Sequence, residues 1–229
     1  MEKFALIVAG GTGSRMGSDI PKQFLDLAGK PVLMRTMERF AAYDPQIKIV
    51  LVLSSAEFGR WNELCSIHGF TMKHLLVEGG SSRFQSVKNG LTELPDEGLV
   101  FIHDGVRPLV SGQTIDNCER MTMSTGNALP VMPVAESLRE RLENCSRHVD
   151  RSRFCLVQTP QTFRVDMIKQ AYLAADNEFF TDDASVCEAF GETINLVDGN
   201  PENIKITRSV DLYLAECLFP LMDGETRSC

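Results

Sequence analysis

Hydrophobic and polar positions along this chain fall into two alternating periods. Short apolar runs at residues 4–9, 47–53, 70–77, 99–103 and 127–133 read as strands, and the first has no polar alternation, as expected of a strand buried on both faces. Between the runs, apolar residues recur at helical spacing. Val32, Leu33, Thr36, Met37 and Phe40 form one such set, with Pro31 suited to a first helical turn. Trp61, Leu64, Cys65 and Ile67 form a second within residues 55–68. Residues 86–94, stopped before Pro95, and residues 115–125 complete the series. Strand followed by helix, repeated, predicts an α/β fold: a Rossmann-like, doubly wound, mostly parallel sheet covered on both faces. Ligands of such sheets sit beyond the carboxyl ends of the strands.

The rhythm breaks at residues 134–156, where apolar flanks enclose a polar, turn-rich centre at 143–150. This predicts a β-hairpin arm projecting from the sheet. An exposed arm with apolar members suits packing on a second subunit, so a homodimer is expected. Helical spacing returns at 165–175, and Thr181-Asp182-Asp183 opens another helix as its N-terminal cap. Residues 193–197 predict a strand, 203–207 a short β-prone segment carrying Lys205, and Ser209 caps a last helix to 218. No internal repeat, low-complexity tract or linker divides the chain, so residues 1–229 read as one domain with the arm inside it.

Composition narrows the function. The formal charge is −8, which argues against nucleic acid or a membrane surface as the main partner. An acidic protein that binds anions must gather its cations locally, and Arg15, Lys22, Arg83, Arg107, Arg151 and Lys205 are the candidates. No apolar run approaches the roughly 20 residues that cross a bilayer, and the N-terminus begins as a strand rather than as a secretory leader. Seven cysteines with no C-x-x-C pair read as reduced thiols, so a cytoplasmic location is expected.

The candidate chemistry starts where the first strand ends. Gly10, Gly11 and Gly13 follow it directly, and Arg15, Gly17 and Lys22 lie within the same loop. Glycines let backbone N–H groups approach a ligand, consecutive N–H groups form a concave anion site, and the two cations add full charge. The stretch reads as a polyphosphate cradle. It is not a P-loop, because Gly17 is followed by Ser18 and Asp19 rather than Lys and Ser or Thr. From Gly11 the glycine spacing is one residue too long for a dinucleotide fingerprint, and the second strand ends in Ser54-Ser55 rather than an acid. A nicotinamide oxidoreductase is therefore a remote alternative. Two further loops follow predicted strands: Glu78-Gly79-Gly80-Ser81-Ser82-Arg83 and Asp104-Gly105-Val106-Arg107-Pro108. All three loops should converge on one edge of the sheet. The four histidines are too scattered to form a metal cluster, and no Ser/His/Asp or Cys/His constellation appears.

Six motifs occur in a fixed order: Gly10-Gly11-x-Gly13-x-Arg15-Met16-Gly17 with Pro21-Lys22-Gln23, His103-Asp104-x-x-Arg107-Pro108, Gln158-Thr159-Pro160-Gln161, Thr181-Asp182-Asp183-Ala184-Ser185 and Asn203-Ile204-Lys205-Ile206-Thr207. On these the chain resembles the 2-C-methyl-D-erythritol 4-phosphate cytidylyltransferases of the non-mevalonate isoprenoid pathway, over nearly its whole length. Ribitol 5-phosphate cytidylyltransferase is the nearest competitor. The resemblance implies a GT-A-like nucleotidyltransferase fold and transfer of CMP from CTP to a sugar-alcohol phosphate. It implies that Arg15, Lys22 and Lys205 stabilise the pentavalent α-phosphorus and the leaving pyrophosphate. Ala9, Gly10, Gly11, Gly13, Gly80, Ser81 and Ser86 would form the nucleotide pocket, with Ser86 able to meet the cytosine edge. The family often carries Asp or Glu where this chain has Ser81. Asp104 would help place Mg²⁺, which takes one or two carboxylates plus substrate oxygens and water. Arg107 would grip the acceptor phosphate or hold the Asp104 loop. Ser137, Arg151, Thr159, Thr181 and Asp182 would recognise methylerythritol phosphate, the first two from the arm of a neighbouring subunit. Residues 149–151 favour methylerythritol over ribitol phosphate.

Overall fold

The computed structural model describes residues 1–10 and 20–222. Gly11, Gly13 and Arg15 lie outside the described residues. The chain runs β1 (Lys3–Val8), β2 (Asp26–Leu27), β3 (Lys30–Pro31), α1 (Val32–Tyr43), β4 (Lys48–Leu53), α2 (Phe58–Ile67), β5 (His74–Glu78), α3 (Arg83–Thr92), β6 (Leu99–Asp104), α4 (Gly112–Thr125) and β7 (Asn127–Pro133). It continues through β8 (Leu138–Arg141), β9 (Ser146–Val149), β10 (Cys155–Val157), β11 (Gln161–Arg164), α5 (Val165–Ala174), α6 (Asp183–Phe190), β12 (Leu196–Asp198) and α7 (Ser209–Met222).

The main sheet has the order β10-β7-β11-β6-β1-β4-β5, with β12 also pairing β7. Strands β6, β1, β4 and β5 pair in parallel. Strand β11 is antiparallel to both β6 and β7, and β10 is antiparallel to β7. The sheet is therefore mixed and mainly parallel, with its parallel half where the Gly-rich loops depart.

Alternate residues of each central strand feed different cores, which is why these strands carry no polar alternation. Ala5, Ile7, Ile49, Leu51, Leu53 and Phe101 pack with Leu33, Met37 and Phe40 of α1, Trp61 of α2 and Ile115 of α4. Phe4, Leu6, Val50, Val52, Val100 and Ile102 pack instead with Phe84, Val87 and Leu91 of α3, Ile168 of α5 and Val186 of α6. At roughly 25 cal/mol per Å² of apolar surface, this two-sided burial is the main stabilising term. Among the described residues no helix is long and apolar enough to cross a membrane. The six described cysteines are free thiols.

Several expected elements shift. The strand expected at 70–77 starts only at His74, because Phe70 and Met72 turn inward against the first core rather than joining the ladder. The strand expected at 193–197 is shorter and starts three residues later, at Leu196–Asp198, parallel to β7. Residues 203–207 form no strand; the Ile206 N–H donates to the Val106 carbonyl at 3.0 Å, a single cross-link without a ladder. Pro31 stands at the N-cap of α1 rather than inside its first turn. The expected arm is an isolated two-stranded hairpin, with Leu138 opposite Val149 and Arg141 opposite Ser146.

Candidate active site

Three strand ends set the site. Past β1 the ladder continues: the Ala9 N–H donates to Val52 O at 2.9 Å. Past β5 and β6, Gly79 N–H reaches Leu53 O at 2.7 Å and Gly105 N–H reaches Val8 O at 2.9 Å. Each loop therefore leaves the sheet from a fixed point. Gly105 is required there, since a Cβ would lie 2.8 Å from Ala9 Cβ and 3.0 Å from Leu33 Cδ1.

Between these loops lies a cleft of about 340 Å³. Ala9, Gly10, Lys22, Gln23, Gly80, Ser81, Ser82, Arg83, Ser86, Asp104 and Lys205 are among its walls. Lys22 sits on a short 3₁₀ turn, Lys22–Phe24, which the buried Gln23 ties to the end of β1 by donating from Nε2 to the Ala9 carbonyl at 3.0 Å. A second cleft opens beside the first and shares Arg83, Asp104 and Lys205 with it. Arg107, Val157, Gln158, Thr159, Gln161, Thr181 and Asp182 complete its walls. Two neighbouring cavities thus meet at one carboxylate and two cations.

Asp104 is the hub of that junction. Lys205 Nζ is 2.9 Å from Oδ2, Arg107 Nε is 3.2 Å from the same oxygen, and Arg83 Nε is 3.8 Å from Oδ1. Burial alone would raise the Asp104 pKa, but Lys205, Arg83 and Arg107 outweigh it and hold the carboxyl well below the usual carboxylate range. Arg107 also donates from Nη1 to the Asn203 carbonyl at 2.7 Å. Of its two expected roles the geometry here is that of holding the Asp104 loop.

Lys205 is delivered to the hub by a buried polar network. Gln158 donates to Asn200 O at 2.9 Å, and Asn203 donates from Nδ2 to Thr159 O at 2.8 Å and to Gln158 Oε1 at 3.2 Å. Asn200 Nδ2 in turn holds Leu109 O at 3.0 Å. These amides pin residues 199–203 against the 104–111 loop, so the extended segment that follows carries its lysine to Asp104.

His103 is fully buried and bonds through both ring nitrogens. Nε2 faces the Arg107 carbonyl at 3.1 Å, and because a carbonyl only accepts, that nitrogen carries the proton. Nδ1 then accepts from the Thr159 hydroxyl at 3.0 Å, while the same hydroxyl oxygen accepts from the Asp104 N–H at 3.1 Å. Burial lowers the His103 pKa to about 4. The ring is a neutral brace for the Asp104 loop. Thr159 lines the second cleft, but its proton is committed to His103.

At the loop after β5, Ser86 lines the first cleft as expected of the nucleotide pocket, and its hydroxyl also shapes the loop, donating to Ser82 O at 2.8 Å and accepting from Gly80 N at 3.1 Å. The N-cap of α6 is Asp182 rather than Thr181: Asp182 Oδ1 accepts from Ser185 N at 3.0 Å, and its Oδ2 accepts from Gln161 Nε2 at 2.9 Å. Thr181 stays exposed at the second cleft. The sequence marks Arg83 only as a local cation. It pairs in bidentate fashion with the fully buried Asp183, at 2.9 and 2.7 Å, and Tyr172 donates to Asp183 Oδ1 at 2.6 Å. A buried Arg–carboxylate fork fixes the guanidinium at the junction of both clefts. The partners are a hundred residues apart, and the only signal for Asp183 is a doubled acid at a helix start.

Ser137 and Arg151 are exposed on the arm and are not among the walls of either cleft. Among the described residues no group of three His, Cys, Asp or Glu could hold a metal ion. Asp104 offers hard carboxylate oxygen, but three cations already face it. A divalent ion therefore fits only if most of its ligands come from elsewhere, as oxygens of a bound polyphosphate and water.

The chain carrying this site matches known proteins over most of its length. The family model described as IspD, 2-C-methyl-D-erythritol 4-phosphate cytidylyltransferase, matches residues 4–220. The 2-C-methyl-D-erythritol 4-phosphate cytidylyltransferases of Bacteroides fragilis and Porphyromonas gingivalis are each 51% identical over 218 residues. Those alignments span 95% of this chain and 100% and 97% of the relatives. Among solved structures, the Thermus thermophilus 2-C-methyl-D-erythritol 4-phosphate cytidylyltransferase superposes with a TM-score of 0.77 at 30% identity, covering 95% of this chain and 98% of that one. The 4-diphosphocytidyl-2C-methyl-D-erythritol synthase of Anaerococcus prevotii superposes with a TM-score of 0.81 at 25% identity, covering 95% and 96%.

Proposed function

This chain belongs to the 2-C-methyl-D-erythritol 4-phosphate cytidylyltransferase family, and from that premise we propose that it transfers CMP from CTP to 2-C-methyl-D-erythritol 4-phosphate, releasing pyrophosphate. The observation that carries the reading is the pair of clefts meeting at Arg83, Asp104 and Lys205. The first cleft takes the nucleotide. Ala9, Gly10, Gly80 and Ser81 leave a flat, small-residue wall for a pyrimidine, with backbone groups to read its edge. The second takes the acceptor, with Thr181 and Asp182 on its wall.

An oxygen of the acceptor phosphate attacks the α-phosphorus of CTP. A new phosphorus–oxygen bond forms as the bond to the β-phosphate oxygen breaks, and pyrophosphate carries away the electron pair. The attacking oxygen is already anionic, so no general base is needed. The obstacle is repulsion between two anions, and catalysis consists of positioning and charge neutralisation. Lys22 and Arg15 neutralise the transferring and leaving phosphates from the glycine-loop side. Lys205 does so from the opposite wall, held until then by Asp104. Asp104 would help hold a Mg²⁺ together with phosphate oxygens and water, and the ion would supply further neutralisation of the leaving group.

The arm supports a homodimer. A two-stranded hairpin alone is marginal in water, and Phe154, Leu156 and Val157 at its base are exposed on and beside the edge strand β10. Ser137 and Arg151 would then enter the partner's acceptor cleft, where a guanidinium suits the acceptor phosphate.

Pyrophosphate release with CTP and each other triphosphate, offered with methylerythritol phosphate or ribitol 5-phosphate, tests the reading. Release confined to CTP and methylerythritol phosphate is expected. Preference for ribitol 5-phosphate would reassign the acceptor, and no release with any pair would reject the reading.

A further inference from the structure

The walls of the two clefts are fastened to each other outside the cations. Glu178 lies in the connection between α5 and α6, three residues before Thr181. Its carboxylate accepts from the Ser82 hydroxyl at 3.0 Å through Oε2 and from the Gln85 side-chain amide through Oε1. Two residues on, Phe180 stacks on Phe84 with centroids 5.9 Å apart. At the far end, Asp183 grips Arg83. The segment 178–183, which contains Thr181 and Asp182 of the second cleft, is thus laid along residues 82–85 of the first.

Those partners are tightly linked to the nucleotide loop. Ser82 caps α3, accepting from the Gln85 N–H at 3.1 Å while donating to Glu178. A Cβ on Gly80 would lie 2.2 Å from Gln85 Cβ, so the loop backbone packs directly against Gln85. Glu178 also places its charge at the N-terminus of α3, where the helix favours an anion. A shift of Gly80 and Ser81 toward a bound base is therefore transmitted through Gln85 and Ser82 to the Glu178 carboxylate and on to Thr181.

We propose that Glu178 is a positioning residue that couples occupancy of the nucleotide cleft to the shape of the acceptor cleft. The proposal rests on the functional reading above. Glu178 touches neither reactant. It makes the acceptor bind more tightly once the nucleotide loop is settled, and by reciprocity the nucleotide more tightly once the acceptor is bound.

The test measures acceptor binding by calorimetry, with and without the α,β-methylene analogue of CTP, which cannot release pyrophosphate. In the wild-type chain the analogue is expected to tighten the acceptor about fivefold or more. In Glu178→Ala that ratio falls toward one. Affinity for the analogue alone and turnover at saturation of both substrates stay within about twofold, so the loss appears in the acceptor KM at low CTP. Glu178→Gln, which keeps an acceptor for Ser82, retains part of the ratio. Gln85→Ala loses part of the coupling, and adding it to Glu178→Ala causes no further loss, since the Glu178 change already removes the Gln85 contact along with that to Ser82. An unchanged ratio in Glu178→Ala, no enhancement in the wild type, or equal weakening of both ligands would overturn the proposal. Hydrogen exchange adds a readout that needs only nucleotide binding: the analogue should slow amides of residues 178–185 in the wild type and not in Glu178→Ala. If the wild type turns over neither acceptor, the functional reading falls, and this exchange comparison still decides the coupling.

Discussion

Asp104 shows how much one buried carboxylate can organise. It ends β6, neutralises Lys205 and Arg107, approaches Arg83, and hands its N–H to Thr159. The motif His103-Asp104-x-x-Arg107 made its importance legible, and so did the placement of a loop at a strand end. The direction of His103 was not legible, because its bonds to Thr159 and to the Arg107 carbonyl depend on segments that meet only in the folded chain. That brace has a pH signature. The unfolded histidine takes up a proton near its ordinary pKa of about 6.5, whereas the folded ring resists protonation down to about 4. Between those values the unfolded state binds more protons, so stability falls as pH falls, by up to about 3 kcal/mol. Urea midpoints from pH 7 to 4.5 should drop less steeply in His103→Gln than in the wild type. Parallel slopes would show that the ring carries no buried neutral state.

Among the elements, the parallel half was readable, and in the antiparallel half β7 was readable while β11 was not. Continuous apolar runs at β1, β4 and β6 announce strands buried on both faces, and alternate residues do serve the two cores. Strand β11 is different: Gln161-Thr162-Phe163-Arg164 is mostly polar, yet three of its four residues are buried because it wedges between β6 and β7. Its polar side chains are satisfied by tertiary partners, as when Gln161 bonds Asp182 and Ala184. Residues 203–207 erred the other way, since a β-prone composition cannot supply a neighbouring strand. The arm was visible as a break in rhythm, and its hairpin register makes a concrete expectation. Replacing residues 138–149 by a short Gly/Ser turn should leave a folded core that sediments as a monomer with poor turnover of the acceptor. An active monomer, or an unchanged dimer, would show that the arm does not join subunits.

At the scale of the whole molecule, an acidic chain collects its cations at one rim. The formal charge of −8 is spread elsewhere, while Lys22, Arg83, Arg107 and Lys205 surround two adjoining clefts. Lys22 and Lys205 lie at opposite ends of the sequence, and the sheet topology brings both to the carboxyl ends of parallel strands. What the sequence could not supply is the mutual neutralisation that holds this rim before anions arrive: Asp104 under Lys205, and Asp183 under Arg83. Both carboxylates keep the cations aimed without ligand, so the rim need not reorganise during reaction.

The most direct test is the turnover of Lys205→Ala with CTP and methylerythritol phosphate both saturating, on protein whose thermal unfolding matches the wild type. Loss of a preorganised charge at the reacting phosphorus predicts a fall of about 10²-fold or more. Turnover close to wild type would mean that the shared rim is not where the two anions are brought together.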